Sequence, residues 1–362
     1  MKLKLKILDR YIVRKFIGTY LVIILIFTTI IIIFDVSERI NDFVDNNVPL
    51  KEIIIDYYCS FVPFLINMFS PLFVFISVIF FTTRLASHSE IVAILAGGIS
   101  FKKLLSPYLL SATLIALMSL LFSLYVIPPA NRTRLEFADK YIKPYVNTSR
   151  NIHFQLSPGN YVYLEAFNSR NSVASRFTLE TIEGHRIVYK LRARSATWNE
   201  ATGGWSLRDY SVWSVDKHDV ETFTRGSSMD TVINLTINDL GKIDNIVASY
   251  NSKDLNEYIK TQKMRGDRNV IYSQVEKHTR LALPFSAFVL TMMGVSLSAQ
   301  KKRGGMGINL AVGLALSFTY ILFLRFSQMF AIAGTMPPWL ALWVPNIIYS
   351  IIALILYRLA PK

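Results

Sequence analysis

The stretch Ala193-Arg-Ser-Ala-Thr-Trp-Asn-Glu-Ala-Thr-Gly-Gly-Trp-Ser-Leu207 decides how the middle of the chain folds. Ala196 and Trp198 alternate with polar residues, as do Trp205 and Leu207, and Thr202-Gly203-Gly204 lies between them as a turn signal. Apolar residues at a period of two, broken by glycine, read as half-buried strands rather than a helix. The same alternation recurs at Ile152, Phe154 and Leu156, at Phe177 with Leu179, at Ile187, Tyr189 and Leu191, and at Ile233, Leu235 and Ile237. Further turns fall at Ser157-Pro158-Gly159-Asn160 and Glu183-Gly184. Strands at such regular spacing predict a sandwich or jelly roll with one apolar face inward. After Asp239 the pattern turns helical in Asp254-Leu-Asn-Glu-Tyr-Ile-Lys-Thr-Gln-Lys263, and a polar stem over 268–280 follows.

On either side of this polar block the chain is apolar in long runs. Runs at about 15–34, 53–83 and 104–127 precede it, and runs at about 281–299, 306–326 and 338–357 follow. Each has about the 20 residues a helix needs to cross a bilayer, and the second is longer than necessary. The fold class expected is therefore membrane α-helical: six transmembrane helices in a 3+3 arrangement with an inserted all-β, jelly-roll-like domain. The domain boundaries read 1–130, 131–278 and 279–362. Composition agrees, with 52% hydrophobic residues and a mean hydropathy of +0.35.

The net charge of +14 would suggest nucleic acid in a soluble protein, but its distribution excludes that. Lys2, Lys4, Lys6, Arg10, Arg14 and Lys15 crowd the N-terminus, Arg84, Lys102 and Lys103 lie in the second link, and Lys301, Lys302 and Arg303 in the fifth. The first outer link is acidic, carrying Asp35, Glu38, Asp42, Asp45, Glu52 and Asp56. Basic residues on alternate links put both termini in the cytoplasm and the 131–278 block outside. The apolar run from Phe16 is too long for a cleaved leader and lacks a small-residue cleavage site, so it reads as a retained first span. Its amphipathic lead-in (Leu3, Leu5, Ile7, Leu8, Tyr11, Ile12) is expected to lie along the inner surface. The lone Cys59 makes no intrachain disulfide.

Prolines punctuate the spans. Pro63 and Pro71 predict a kink in a long second span, Pro128-Pro129 the end of the third, and Pro284 the first turn of the fourth. A charged helical stem bearing Arg132, Arg134, Glu136, Asp139, Lys140 and Lys143 is expected beyond the third span. Lys301-Lys302-Arg303-Gly304-Gly305 reads as a tight inner turn.

The inner link between spans two and three has its own character. Ser87 with Glu90 reads as a capping box, Ile91, Val92, Ile94 and Leu95 follow at near-helical spacing, and Gly97-Gly98 closes the helix. A short, partly apolar cytoplasmic helix joins two spans. One reading rests it on the lipid surface; the other docks it in a groove of a cytoplasmic partner. Gly307, Ala311 and Ala315 lie four apart on span five, as do Gly313 and Ser317, a spacing that lets helices approach closely. Arg325 lies about 28 Å along that helix from Met306, near its outer boundary. It reads either as a snorkelling anchor or as a cation facing an anionic head group, with Arg132, Arg134 and Lys140 able to join the same positive zone.

No catalytic constellation is visible. There is no phosphate-binding G-x-x-x-x-G-K-[ST] loop, no G-x-S-x-G elbow and no paired metal spacing among His88, His153, His185, His218 and His278. Energy for any transport must come from another subunit.

Four segments together resemble the paired lipopolysaccharide-export permeases, the LptF/LptG family. They are Leu8-Asp-Arg-Tyr-Ile-Val-Arg-Lys-Phe16, Ser89-Glu-Ile-Val-Ala-Ile-Leu-Ala-Gly-Gly-Ile-Ser100, the opening stretch 193–207, and His278-Thr-Arg-Leu-Ala-Leu-Pro-Phe285 followed by Gly294-Val-Ser-Leu297. The resemblance implies a multi-pass protein of the Gram-negative inner membrane with a periplasmic β domain. It implies pairing with a second six-span permease through spans one and five, above a dimer of cytoplasmic ABC ATPases. The ATPase-coupling helix would be Ser89, Glu90, Ile91, Ala93, Ile94, Leu95, Ala96 and Gly97; the helix interface would use Gly307, Ala311 and Ala315; the lipid head-group candidates are Arg325, Arg132, Arg134 and Lys140. Lipopolysaccharide would leave the outer leaflet through the cavity between subunits and pass to a periplasmic bridge protein touching the β domain. No cofactor or metal is expected on this chain, since ATP and Mg would sit in the partner. The acidic outer end of span one departs from members in which that end is basic. Two other readings stay open: a non-transporting scaffold for envelope assembly, and an extractor of a different envelope lipid.

Overall fold

The computed structural model describes residues 6–142, 148–168, 171–199, 202–216, 218–233, 235, 247–267, 269–299 and 305–360. The inner turn at 300–304, Lys143, Ile237, Asp239 and Arg268 lie outside the described residues. The chain divides into two units, Met1–Arg134 with Gln274–Lys362, and Leu135–Ser273.

Among the described residues, six helices are long and apolar enough to cross a membrane. Helix α1 (Ile7–Asp45) is followed by α2 (Leu50–Glu52), a π-helical segment (Ile53–Tyr58), α3 (Cys59–Met68) and α4 (Ser70–Ser87). Then come α5 (Glu90–Ala96), α6 (Phe101–Leu121), a second π-helical segment (Phe122–Val126) and α7 (Ile127–Tyr141). After the β unit and its helix α8 (Ser252–Met264), α9 (Val270–Ser298), α10 (Gly305–Ile332) and α11 (Pro338–Leu359) complete the chain.

Several boundaries differ from the sequence expectation, each for a backbone reason. The lead-in from Ile7 does not lie apart from span one. It continues into α1 because no proline interrupts it and Ile12, Phe16 and Tyr20 form one buried stripe with Ile23 and Ile24. The long second span is not a single kinked helix: Phe69 leaves helical geometry (φ −94°, ψ 5°), and α4 restarts with Pro71 in its first turn, where a missing N–H costs nothing. The helix does not break at Pro128-Pro129, and the charged stem expected beyond span three is present as its continuation. The wide turn at Phe122–Val126 places both prolines in the first turn of α7, and helix continues to Tyr141. Pro284 lies well inside α9, because the polar stem and span four are one helix.

Helix α4 is the hub. Of its residues 83% are buried, against 22% and 28% of the apolar 18-residue stretches of α1 and α10. Two glycines let neighbours reach it: a Cβ on Gly294 of α9 would lie 2.8 Å from Val78 Cγ1 and 3.2 Å from the Phe75 ring, and one on Gly313 of α10 would collide with Ile79. Buried polar pairs tie other spans. Asn67 donates to Ser123 Oγ (2.9 Å) and accepts from Ser119 Oγ (2.6 Å). Tyr320 Oη donates to Asn346 Oδ1 (2.9 Å), and Asn346 Nδ2 to the Ala282 carbonyl (2.9 Å).

The second unit is an antiparallel six-stranded sheet in sequence order: β1 (Thr148–Ser157), β2 (Asn160–Asn168), β3 (Val173–Glu183), β4 (Arg186–Asn199), β5 (Gly204–Val215) and β6 (Glu221–Thr231). The β domain predicted from the alternation is present. Its core is Val162, Leu164, Phe167, Ala174, Phe177, Leu191, Ala196, Trp205 and Leu207, joined by Ile233 and Leu235 from the segment after β6. Those last two were expected on a strand; they cross the core in irregular backbone instead, and Trp205 Nε1 donates to the Leu235 carbonyl at 2.8 Å. Strands β2 and β5 are separated by two others, about 14 Å in a flat sheet. Yet the Phe167 and Trp205 rings lie 6.5 Å apart, so the sheet curls around its own side chains.

The curl has a visible origin. Core positions step by three rather than two at Leu164/Phe167, Ala174/Phe177 and Ala193/Ala196. Glu165, Arg176 and Arg194 fall between them, and the flanking pairs align these three with Asn151 and Asp209 in one row across the sheet. In that row Asn151 (φ 54°), Arg176 (φ 48°) and Asp209 (φ 52°), on alternate strands, are left-handed. Such residues inside strands turn the backbone and change which face the following side chains take.

Candidate coupling helix and lipid-facing sites

Helix α5 is built as the sequence suggests at its end and differently at its start. Gly98 takes a left-handed φ of 81° beyond the C-terminus, which only glycine adopts without strain. The Ser87–Glu90 capping box does not form. Ser89, itself left-handed (φ 61°), is the N-cap residue, and Ser87 Oγ instead donates to the Arg84 carbonyl at 2.8 Å. The tight turn out of α4 consumes the residues a capping box would need.

The seven-residue helix has two faces. Ile91 is buried, and Ile94 and Leu95 pack half-buried on the cluster of Ile12, Phe16, Leu85, Phe101 and Leu104 at the ends of α1, α4 and α6. Val92, Ala93, Ala96 and Gly97 are exposed. Glu90 leads the first turn, and Tyr11 Oη donates to its Oε2 at 3.3 Å, linking α5 to α1. Tyr11 is the residue that sequence reasoning missed; its only signal was membership of an amphipathic lead-in read as surface-bound.

The small residues of α10 separate into two faces. Gly313 and Ser317 face α4, with Ser317 fully buried. Gly307, Ala311 and Ala315 lie on the exposed side, together with Val312, Phe318, Leu322 and Phe326.

The four cations have different surroundings. Arg325 is exposed on α10 and donates from Nη1 to Gln328 Oε1 (3.2 Å); Gln328 Nε2 in turn reaches Thr279 Oγ1 on α9 (3.4 Å). Arg134 is half-buried, donating from Nε and Nη2 to Asn131 Oδ1 (3.1 and 2.8 Å), with its guanidinium 5.7 Å from the Phe61 and Phe64 ring centres. Arg132 is exposed on the same helix. Lys140, in the other unit, stands over its neighbour Tyr141 at 4.5 Å.

At the acidic end of span one, Asp35 is satisfied within the chain. Asp35 accepts from Arg39 Nε (3.1 Å), Tyr57 Oη (3.3 Å) and Tyr58 Oη (3.1 Å). Among the described residues no group of three or more His, Cys, Asp or Glu side chains is arranged to hold a metal ion.

Six apolar helices among the described residues, one of them the buried hub, with a β unit inserted after the third, define a multi-pass permease of the inner membrane. Residues 10–359 match the family described as lipopolysaccharide export system permease LptF/LptG, and the chain belongs to that family. No curated protein matches the chain in sequence.

Proposed function

We propose that this chain is one transmembrane half of an ATP-driven machine that lifts lipopolysaccharide from the outer leaflet of the inner membrane. Hydrolysis takes place in a separate pair of cytoplasmic ATPases, and the extracted lipid passes to a periplasmic bridge protein at the β unit. Both termini lie in the cytoplasm, as the basic inner links require. The observation that carries the reading is the two-faced helix α5. Ile91, Ile94 and Leu95 key it into the ends of three spans, while Val92, Ala93 and Ala96 remain open to a soluble partner. A helix held this way passes a push from below into the spans. The low burial of α1 and α10, with the Gly307, Ala311 and Ala315 stripe on the latter, supports pairing with a second six-span permease.

Affinity purification of the tagged chain from its native membrane in mild detergent tests this. Co-elution of a soluble ATPase and a second six-span protein in stoichiometric amounts supports it. Elution alone, or with envelope structural proteins only, replaces it with the scaffold reading.

A further inference from the structure

The β unit carries a groove of about 800 Å³ on the face of its sheet opposite the core. The register lays two rows along its floor: His153, Tyr163, Thr178, Arg192 and Ser211, then Gln155, Tyr161 and Glu180. The core-facing side of the same sheet is filled by Phe167, Phe177 and Trp205, each 1% exposed or less. A ligand of this unit is therefore received on the polar face.

The β1–β2 side of this floor is aromatic and held in place. Tyr163 Oη donates to Asn151 Oδ1 (3.1 Å), Gln155 Nε2 reaches Tyr161 Oη (3.4 Å), and the His153 ring lies 4.6 Å from that of Tyr163. The opposite side is cationic. Arg176 and Arg194 stand in the left-handed row and already face carboxylates, Glu165 at 2.9 Å and Asp209 at 3.7 Å. Arg192, between them and the tyrosines, has no ion-pair or hydrogen-bond partner among the described residues and is exposed. A planar fork without a carboxylate, beside fixed aromatic rings, matches an anionic group carried on a sugar: guanidinium to phosphate, ring face to the apolar C–H face of the sugar.

We propose that this groove binds a phosphorylated saccharide, with Arg192 as the phosphate contact and Tyr161 and Tyr163 as the platform. The proposal rests on the export reading only for its source: a phosphorylated glycolipid head group passing the β unit. Arg192 would let the β unit hold that head group while the membrane unit returns for another lipid.

The test is calorimetric titration of the full chain in phosphatidylcholine nanodiscs with glucosamine 6-phosphate, glucosamine and inorganic phosphate. Glucosamine 6-phosphate is expected to bind more tightly than either of the other two. Arg192→Ala should weaken it about tenfold or more, as loss of a charged hydrogen bond does. Tyr163→Ala should weaken glucosamine 6-phosphate but leave inorganic phosphate unchanged. Arg208→Ala, which removes an equal charge outside the groove, should change nothing. Equal binding of sugar phosphate and free phosphate, or an Arg192→Ala chain that titrates like the parent, overturns the proposal. Because the readout needs neither ATPase nor export, a chain that elutes without an ATPase yet binds through Arg192 sinks the export reading and keeps this one.

Discussion

Tyr11 on the first span and Glu90 on the coupling helix, 79 positions apart in sequence, are joined by a 3.3 Å hydrogen bond. This is a direct polar link between a helix proposed to face the ATPase and a span proposed to face the lipid cavity. Helix α5 has apolar anchors in Ile91, Ile94 and Leu95, but these resist rotation about its axis poorly; a directional bond at its first residue fixes that angle. Tyr11→Phe keeps the ring and removes the bond. An exposed hydrogen bond of this kind contributes about 0.5–1.5 kcal/mol, so lipid released per ATP hydrolysed in proteoliposomes should fall about two- to tenfold. ATPase activity of the assembled complex should persist. A Tyr11→Phe complex with unaltered stoichiometry would remove the link from the mechanism.

The two small-residue faces of α10 make opposite predictions. Gly313→Leu drives a side chain into Ile79 and should destabilise the isolated chain by about 1–3 kcal/mol, read as a lower melting temperature in detergent. Gly307 has open space around it, so Gly307→Leu should leave that melting temperature unchanged while weakening assembly with the second permease on size exclusion. If Gly307→Leu lowered stability and left assembly intact, the exposed face of α10 would not be the pairing surface.

The spans were legible because a bilayer demands long apolar runs, a signal no folding detail overrides. The strands were legible where buried residues alternate cleanly, as at Ala196, Trp198, Trp205 and Leu207; β2 was not read, because its buried Val162, Leu164 and Phe167 step by two and then by three. Strand β6 escaped because its residues are nearly all exposed and show no alternation: an edge strand held by backbone bonding to β5 needs no apolar partner. The effect of prolines was harder to read: Pro284 lies inside α9 rather than in a first turn, and the second span breaks at Phe69 rather than kinking at Pro63 or Pro71. The Tyr11–Glu90 contact and the separate surroundings of Arg134 and Arg325 depend on packing between helices far apart in the chain. No local pattern records them.

The left-handed row across the sheet is equally invisible in composition, and it can be probed directly. Asp209 holds φ at 52° inside β5, where most residues are strained by about 1–2 kcal/mol and glycine is not. Its pairing with Arg194, at 3.7 Å between largely exposed side chains, offsets little. Asp209→Gly should therefore leave the stability of the β unit unchanged or raise it, despite the poor strand propensity of glycine. Asp209→Val, the better strand former by propensity, should lower it by about 1–2 kcal/mol or more. Denaturant unfolding followed by tryptophan fluorescence of the full chain ranks the two, and the reverse order would mean that the row is ordinary strand.

The final prediction concerns the acidic outer end of the first span, which sequence alone sets against binding an anionic head group. Asp35 is not presented to a ligand. Its carboxylate is 11% exposed and takes three donors, Arg39, Tyr57 and Tyr58, so its charge is spent on fastening α1 to the arm that precedes α4. Tyr57 reinforces the contact, stacking on Phe61 and lying 5.5 Å beneath the Arg39 guanidinium. If Asp35 merely repelled phosphate, Asp35→Asn would raise lipopolysaccharide binding. The bonding predicts otherwise: Asp35→Asn keeps an acceptor for the tyrosines and costs little binding, while Asp35→Ala strands three donors and should destabilise the chain by about 1–3 kcal/mol. Melting temperature and lipid binding measured side by side on the two variants decide between them. A gain in binding for Asp35→Asn would assign this carboxylate to the lipid path rather than to the scaffold.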